Sequence, residues 1–188
     1  MLKNILHYAH YLLEQTLKPG EITIDATCGN GNDTLYLAEL VGKDGKVLAF
    51  DIQEQAIHTT KKRLNEAGIN HVTLIQESHE YVDRFLGESE QIGAAIFNLG
   101  YLPRSDKTII TESKSTIPAV EKILTKLRHE GLLVLVVYHG HKGGKEEKDA
   151  LLQYVTQLDQ KKYHVLQYQF INQKNNPPFL LAIEKLTD

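Results

Sequence analysis

The chain has 188 residues, 41% of them hydrophobic and 24% charged, and a formal net charge of −3. That length reads as one domain spanning residues 1–188, large enough to bury roughly 70% of its unfolded surface without disulfides or metals. The composition excludes a disordered chain, a membrane span of ~18 apolar residues and a general nucleic-acid coat, while a local basic patch could still grip one short RNA hairpin.

The elements follow in chain order. Leu2, Ile5, Leu6, Ala9, Leu12, Leu13 and Leu17 recur at three- and four-residue steps, which predicts an opening helix stopped by Pro19-Gly20 and capping the sheet or the cofactor cleft. Its start, Met1 to His10, has polar interruptions where a signal peptide would be continuously apolar. Strands and helices then alternate: strand 22–26, helix 32–41, strand 46–51, helix 53–67, strand 72–76, helix 79–86 and strand 92–98, a parallel α/β rhythm. A helix over 115–129 leads to Leu132–Tyr138, whose unbroken apolar run suits a central strand covered on both faces. After a helix near 145–159, Tyr163–Ile171 and Phe179–Leu186 are strand-like with no helix between them, so they pair antiparallel as a hairpin. Two copies could also pair through that hairpin or the opening helix, as a homodimer. Cys28 is the single cysteine, which excludes an internal disulfide and fits a reducing, cytoplasmic setting.

The most informative segment is Asp25-Ala-Thr-Cys-Gly-Asn-Gly-Asn-Asp-Thr34, where an apolar strand ends in a carboxylate, then a paired-glycine loop, then a helix. Gly29 and Gly31 permit positive φ and close backbone approach, and the helix start aims free N–H groups at a negative ligand group. A dinucleotide fingerprint needs a third glycine where Thr34 stands, and an acid at Asp25 would repel a pyrophosphate but attract an ammonium. S-adenosylmethionine (SAM) carries one. Asp25 would take its amino group, directly or through water, and amides near Gly29, Asn30 and Gly31 its carboxylate. Some twenty residues on, Asp51 ends the next strand and would accept the ribose hydroxyls. Cys28 reads as a small packing residue.

In an open α/β sheet the reacting group lies beyond the carboxyl ends of the strands, here Asn98-Leu-Gly-Tyr-Leu-Pro103. It is close to the Asn/Asp-Pro-Pro-Tyr loop of amino-group methyltransferases, with Leu99 and Gly100 in place of the prolines. An amine must present its lone pair in line with the S–CH3 bond, which Asn98 Oδ1 and a backbone carbonyl could enforce by accepting its N–H groups. Tyr101 could stack on a base. His139-Gly-His141 follows the fifth strand, where His139 or Tyr138 lines the acceptor pocket or stands in solvent; two histidines alone make a poor metal set, so no metal is expected. Gly143-Gly-Lys-Glu146 lacks the residues of a phosphate-binding loop. Arg104, Lys107 and Lys114, and Lys142 with Lys145, are the candidate basic patches, each otherwise ordinary solvated surface.

Together, the Asp25–Thr34 loop, Asp51-Ile-Gln53, Ser78-His79, Asn98–Pro103 and Tyr138-His-Gly-His141 resemble, across nearly the whole chain, a small bacterial group formerly labelled rRNA methylases and since associated with tRNA 5-aminomethyl-2-thiouridine methylation. The resemblance implies a Rossmann-like class I SAM-dependent methyltransferase: a seven-stranded, mostly parallel sheet with an antiparallel C-terminal hairpin and an extra N-terminal helix. It implies that Asp25, Gly29, Asn30, Gly31 and Asp33 hold the methionine end of SAM, with Thr27 and Thr34 beside them. Asp51, Ile52 and Gln53 would hold the ribose, and Ser78 and His79 would flank adenine. Asn98, also in contact with the cofactor, would shape the catalytic site with Gly100, Tyr101 and His139, and Tyr101, Arg104, Tyr138, His141 and Lys142 would receive the tRNA anticodon stem-loop. The family pattern often carries glycines after Leu-Pro, where this chain has Arg104-Ser105. Competing readings are methylation of rRNA or a small molecule, a non-catalytic nucleotide-binding module, and an NAD-dependent oxidoreductase, the last disfavoured by Thr34 and Asp25.

Overall fold

A computed structural model of the chain describes residues 1–100 and 110–187. Helix α1 (Ile5–Thr16) starts where the Asn4 side chain accepts the His7 N–H at 2.9 Å, so the helix begins at the cap and not at Leu2. Strand β1 (Ile22–Asp25), helix α2 (Asn32–Val41), strand β2 (Lys46–Phe50), helix α3 (Glu54–Glu66) and strand β3 (Val72–Ile75) follow. Strand β4 (Ile92–Leu99), helix α4 (Ser113–Lys126), strand β5 (Leu127–Val137), helix α5 (Gly144–Val155) and strands β6 (Tyr163–Tyr168) and β7 (Phe179–Lys185) complete the strands and α-helices among the described residues.

The strands form a seven-stranded sheet in the order β3-β2-β1-β4-β5-β7-β6. β1 to β5 run parallel, while β7 is antiparallel to both β5 and β6. The expected hairpin therefore exists, with its second strand inserted beside β5 and its first left at the sheet edge. Because β1 lies between β2 and β4, the winding direction reverses there and opens a crevice beyond the carboxyl ends of those strands.

Alternation along the central strands supplies two apolar faces. Leu133, Leu135 and Val137 of β5 join Ile24, Phe50 and Phe97 under α4 and α5, while Leu132, Val134 and Val136 join Val47 and Ile96 under α1 and α2. Helix α1 seats Ile5, Ala9 and Leu13 in the second layer. Truncating the fully buried Leu13 to Ala would cost about 2–5 kcal/mol and loosen the helix on the sheet. No helix among the described residues is long and apolar enough to cross a membrane.

Three expectations need correction. The segment expected as a helix over 79–86 is a 3-10 helix, His79–Phe85, with non-helical torsions at Tyr81. There Lys122 of α4 donates to the Glu80 carbonyl and to Asp83 at 2.7 Å, so tertiary anchors override the continuous helix. The helix expected to reach 129 ends at Lys126, because β5 begins at Leu127 and irregular backbone at Glu130 (φ 57°) lets the chain enter the sheet early. The strand expected over Tyr163–Ile171 stops at Tyr168, whose hydroxyl donates to the Lys3 carbonyl at 2.7 Å while Ile171 lies exposed in a turn.

Candidate cofactor and acceptor site

The crevice holds a cavity of about 590 Å³, within the range of small-molecule and cofactor sites. Its floor is the loop between β1 and α2. Gly29 (φ 51°) and Gly31 (φ 77°) take left-handed conformations, and a Cβ on Gly31 would lie 2.8 Å from Thr60 Oγ1. Helix α3 supports this loop from behind: Thr60 Oγ1 donates to the Gly29 carbonyl at 3.1 Å and Arg63 Nε to the Asn30 carbonyl at 2.8 Å. The α2 cap at Gly31 has no side-chain hydrogen bond, so the first-turn N–H groups remain available beside Asn32 and Asp33, which line the cavity.

Asp51 stands on the opposite wall. One of its oxygens accepts the Gly29 N–H at 3.0 Å and the other the Gln53 N–H at 2.9 Å, leaving lone pairs on both for a ligand. Burial pushes its carboxyl above the usual range, against the pull of those backbone donors. Ile52, Gln53, Ser78 and His79 continue this wall. His79 Nδ1 lies 3.0 Å from the Ala26 carbonyl, so that nitrogen donates, and its buried Nε2 has no partner among the described residues. Burial also lowers the His79 pKa, which keeps the ring neutral and Nε2 an acceptor.

Asp25 takes a different place from the one expected by simple contact. It is fully buried and does not line the cavity; Thr34 Oγ1 donates to it at 2.6 Å and the Thr27 N–H at 3.2 Å. Desolvation, followed by repulsion from Asp33, pushes its carboxyl up to about 7. Thr34 and Gly31 are likewise buried behind the loop, so these three residues shape it from underneath. Thr27 lines the cavity and its hydroxyl accepts the Asn98 N–H at 2.7 Å, tying the β1 loop to the end of β4. Cys28 is buried, and burial pushes its thiol far up, consistent with packing and not with nucleophilicity.

The end of the cavity at the tips of β4 and β5, where the acceptor was expected, gathers Asn98, Gly100, Tyr138, His139 and His141. Asn98 Nδ2 donates to Asp33 Oδ2 at 2.5 Å; a carboxylate only accepts, so the amide oxygen faces away from it. Tyr138 is half-buried, and burial followed by the Asp33 charge raises its phenol pKa, keeping it protonated. His139 Nε2 is held by the Pro177 carbonyl at 3.0 Å, and both His141 nitrogens face backbone carbonyls, Tyr138 at 2.8 Å and Lys142 at 3.0 Å. Lys142 is exposed and does not line the cavity. Tyr101, Arg104 and Lys107 lie outside the described residues.

Sequence reasoning missed several participants. Leu6 and His10 of α1, Glu77, Thr111, Ser115 and Asn176 also line the cavity. Thr111 exchanges two hydrogen bonds with Gly100 at 2.9 Å each, and its hydroxyl donates to the buried Glu147 of α5 at 2.7 Å, with Thr116 donating to the other oxygen at 2.8 Å. Burial of Glu147 raises its pKa despite these donors. A buried-side glutamate on α5, Glu147, was the one available signal; the pairing itself spans more than thirty residues.

Comparison with known proteins places this geometry. The family model described as "Putative rRNA methylase" matches residues 47–184, more than half of the chain. The chain belongs to this family. A second model, for protein-L-isoaspartate O-methyltransferase, matches residues 4–82, the part that carries the glycine loop. The chain is 35% identical, over 97% of its own length and 70% of the relative's, to a chloroplastic tRNA (mnm(5)s(2)U34)-methyltransferase of Arabidopsis thaliana. A crystal structure from Clostridium thermocellum described as a putative rRNA-methylase has a TM-score of 0.96 at 42% identity, covering 99% of this chain and 100% of that one. One from Streptococcus mutans, a putative methyltransferase in complex with SAH, has a TM-score of 0.91 at 45% identity, with coverage of 99% and 100%. The expected class I fold is thus borne out, and the protein is a SAM-dependent methyltransferase of this family.

Proposed function

We propose that the protein transfers a methyl group from SAM to the exocyclic primary amine of 5-aminomethyl-2-thiouridine at the wobble position of tRNA, producing the 5-methylaminomethyl derivative. The observation that carries the reading is the Asn98 amide: with Nδ2 committed to Asp33, its oxygen is the group left to accept an N–H from an amine nucleophile. The tRNA substrate rests on the 35% identity to the Arabidopsis thaliana enzyme along 97% of this chain.

The residues present suit the cofactor. Asp51 offers both oxygens to a ribose diol, and the α2 start with Gly29 and Asn30 offers N–H groups to a carboxylate. The bare acceptor at His79 Nε2 suits the amino group of a purine, with Ser78 beside it.

When bound, SAM supplies an electrophilic methyl on a sulfonium, so the chain's own residues need only align and deprotonate the acceptor. Asn98 Oδ1 orients the amine, whose lone pair forms the new N–C bond as the S–C bond breaks. Tyr138 and His139 flank that point, and removal of the ammonium proton to solvent or a wall residue precedes attack. The anticodon stem-loop would approach over the β4 and β5 ends.

Nucleoside mass spectrometry of tRNA and rRNA from cells with and without the protein tests the reading. Loss of 5-methylaminomethyl-2-thiouridine with build-up of its unmethylated precursor is expected. An unchanged tRNA profile, with a methylated nucleoside missing from rRNA, would replace it with the rRNA reading.

A further inference from the structure

Helix α1 contributes a side chain to the acceptor site that its packing role does not require. While Ile5, Ala9 and Leu13 seat the helix on the sheet, His10 projects along the cavity wall toward the start of α2. Its ring stacks on Tyr36, with centroids 4.1 Å apart and planes 11° from parallel, and the Tyr36 hydroxyl donates to the His10 carbonyl at 3.3 Å. That stacking fixes the imidazole in one plane. In that plane Nε2 lies 2.6 Å from Asp33 Oδ1, while Asp33 Oδ2 accepts from Asn98 Nδ2 at 2.5 Å. A single carboxylate thus joins residues 23 positions earlier and 65 positions later in the chain.

From this we infer that His10 is a positioning residue for methyl transfer: its Nε2–H pins Asp33, and Asp33 in turn holds the Asn98 amide with its oxygen toward the acceptor amine. The inference rests on the reading of Asn98 as the group that orients the amine. An amide can rotate by half a turn at little steric cost, and the wrong orientation would point an N–H at an N–H. Asp33 decides between the two, because its carboxylate repels the amide oxygen and binds the amide nitrogen. An Asp33 anchored at one oxygen only would pivot toward water and release that choice. Held by His10 on one side and Asn98 on the other, it cannot pivot without breaking a charge-assisted hydrogen bond. The opening helix is therefore part of the active site as well as a cover for the sheet.

His10→Ala and His10→Gln test this, since the Gln Nε2–H can reach the same carboxylate oxygen. Single-turnover methylation of tRNA is expected to fall about 10- to 100-fold in His10→Ala, with SAM affinity by calorimetry within about threefold, and to recover in His10→Gln. Independently of activity, the 15N-labelled side-chain amide of Asn98 should show one proton shifted downfield in the wild-type protein and in His10→Gln, and lose that shift in His10→Ala. A wild-type rate and an unchanged Asn98 signal in His10→Ala would overturn the inference. So would a fall in SAM affinity parallel to the rate with no rescue by Gln, the mark of a merely structural role. Should the wild-type protein leave tRNA unmethylated, the proposed function fails, whereas the Asn98 signal still decides whether His10 holds the pair.

Discussion

The two ends of the cavity are built on different principles. At the β1–β2 end, most cavity-facing groups come from the backbone of one loop and from Asp51 at a strand tip, within Ala26–Gln53. At the β4–β5 end, the groups are fixed by partners far off in the chain: the Asn98 side chain bonds Asp33, which also meets His10, and the Gly100 backbone bonds Thr111, which in turn donates to Glu147. A site for a universal cofactor can be made by local turn geometry. A site that must align one particular nucleophile needs side chains locked from several directions, which only the assembled sheet and helices provide.

The sharpest way to break this division is Asn98→Ala. If the acceptor end aligns the amine, single-turnover methyl transfer drops roughly 100- to 1000-fold while calorimetric SAM affinity stays within about threefold; an equal fall in both would merge the two ends into one. Next comes Asp51→Ala, which removes two charge-assisted acceptors and should weaken SAM binding roughly 100-fold by calorimetry. Unchanged affinity would remove Asp51 from the cofactor end.

Smaller effects probe what lies beneath the loop. Gly31→Ala combines a positive φ with a Cβ 2.8 Å from Thr60 Oγ1, so urea unfolding should show a loss of roughly 1–3 kcal/mol. A pH-dependent effect concerns Asp25. Burial pushes its carboxyl up to about 7, against an ordinary 3.8, so the folded protein binds the extra proton between those values. Stability contributed by this group is therefore present at low pH and falls as pH rises through that window, with a slope of at most about 1.4 kcal/mol per pH unit. Asp25→Asn should flatten that part of the profile in urea titrations from pH 4.5 to 7, and an unaltered slope would show that the buried carboxylate stays charged.

Sequence patterning carried most of the fold. The alternating strands and helices, the unbroken apolar run of β5 and the two helix-free terminal strands each appear where local periodicity puts them, because burial on both faces of a sheet leaves a pattern that short segments retain. Misreadings fell where long-range contacts overrule periodicity: at the 3-10 helix tied to Lys122, at the early entry of β5, and at the shortened β6. In the site, the glycine loop and Asp51 were legible because their spacing is itself the geometry. Asp25 was named as a ligand on the same pattern, yet it lies beneath the loop, bound by Thr34, since a strand-end side chain can point to either side of the turn that follows.

What the linear order of residues determines by itself is therefore the layered α/β architecture and the left-handed glycine loop between β1 and α2, which follow from periodicity and from glycine's backbone freedom. Only the folded molecule decided which carboxylate faces the cavity, that the Asn98 amide meets Asp33, and that His10 of the opening helix and Glu147 of α5 bond residues lining the cavity. Those choices depend on hydrogen bonds between residues tens of positions apart, and directional contacts of that kind leave no periodic trace along the chain.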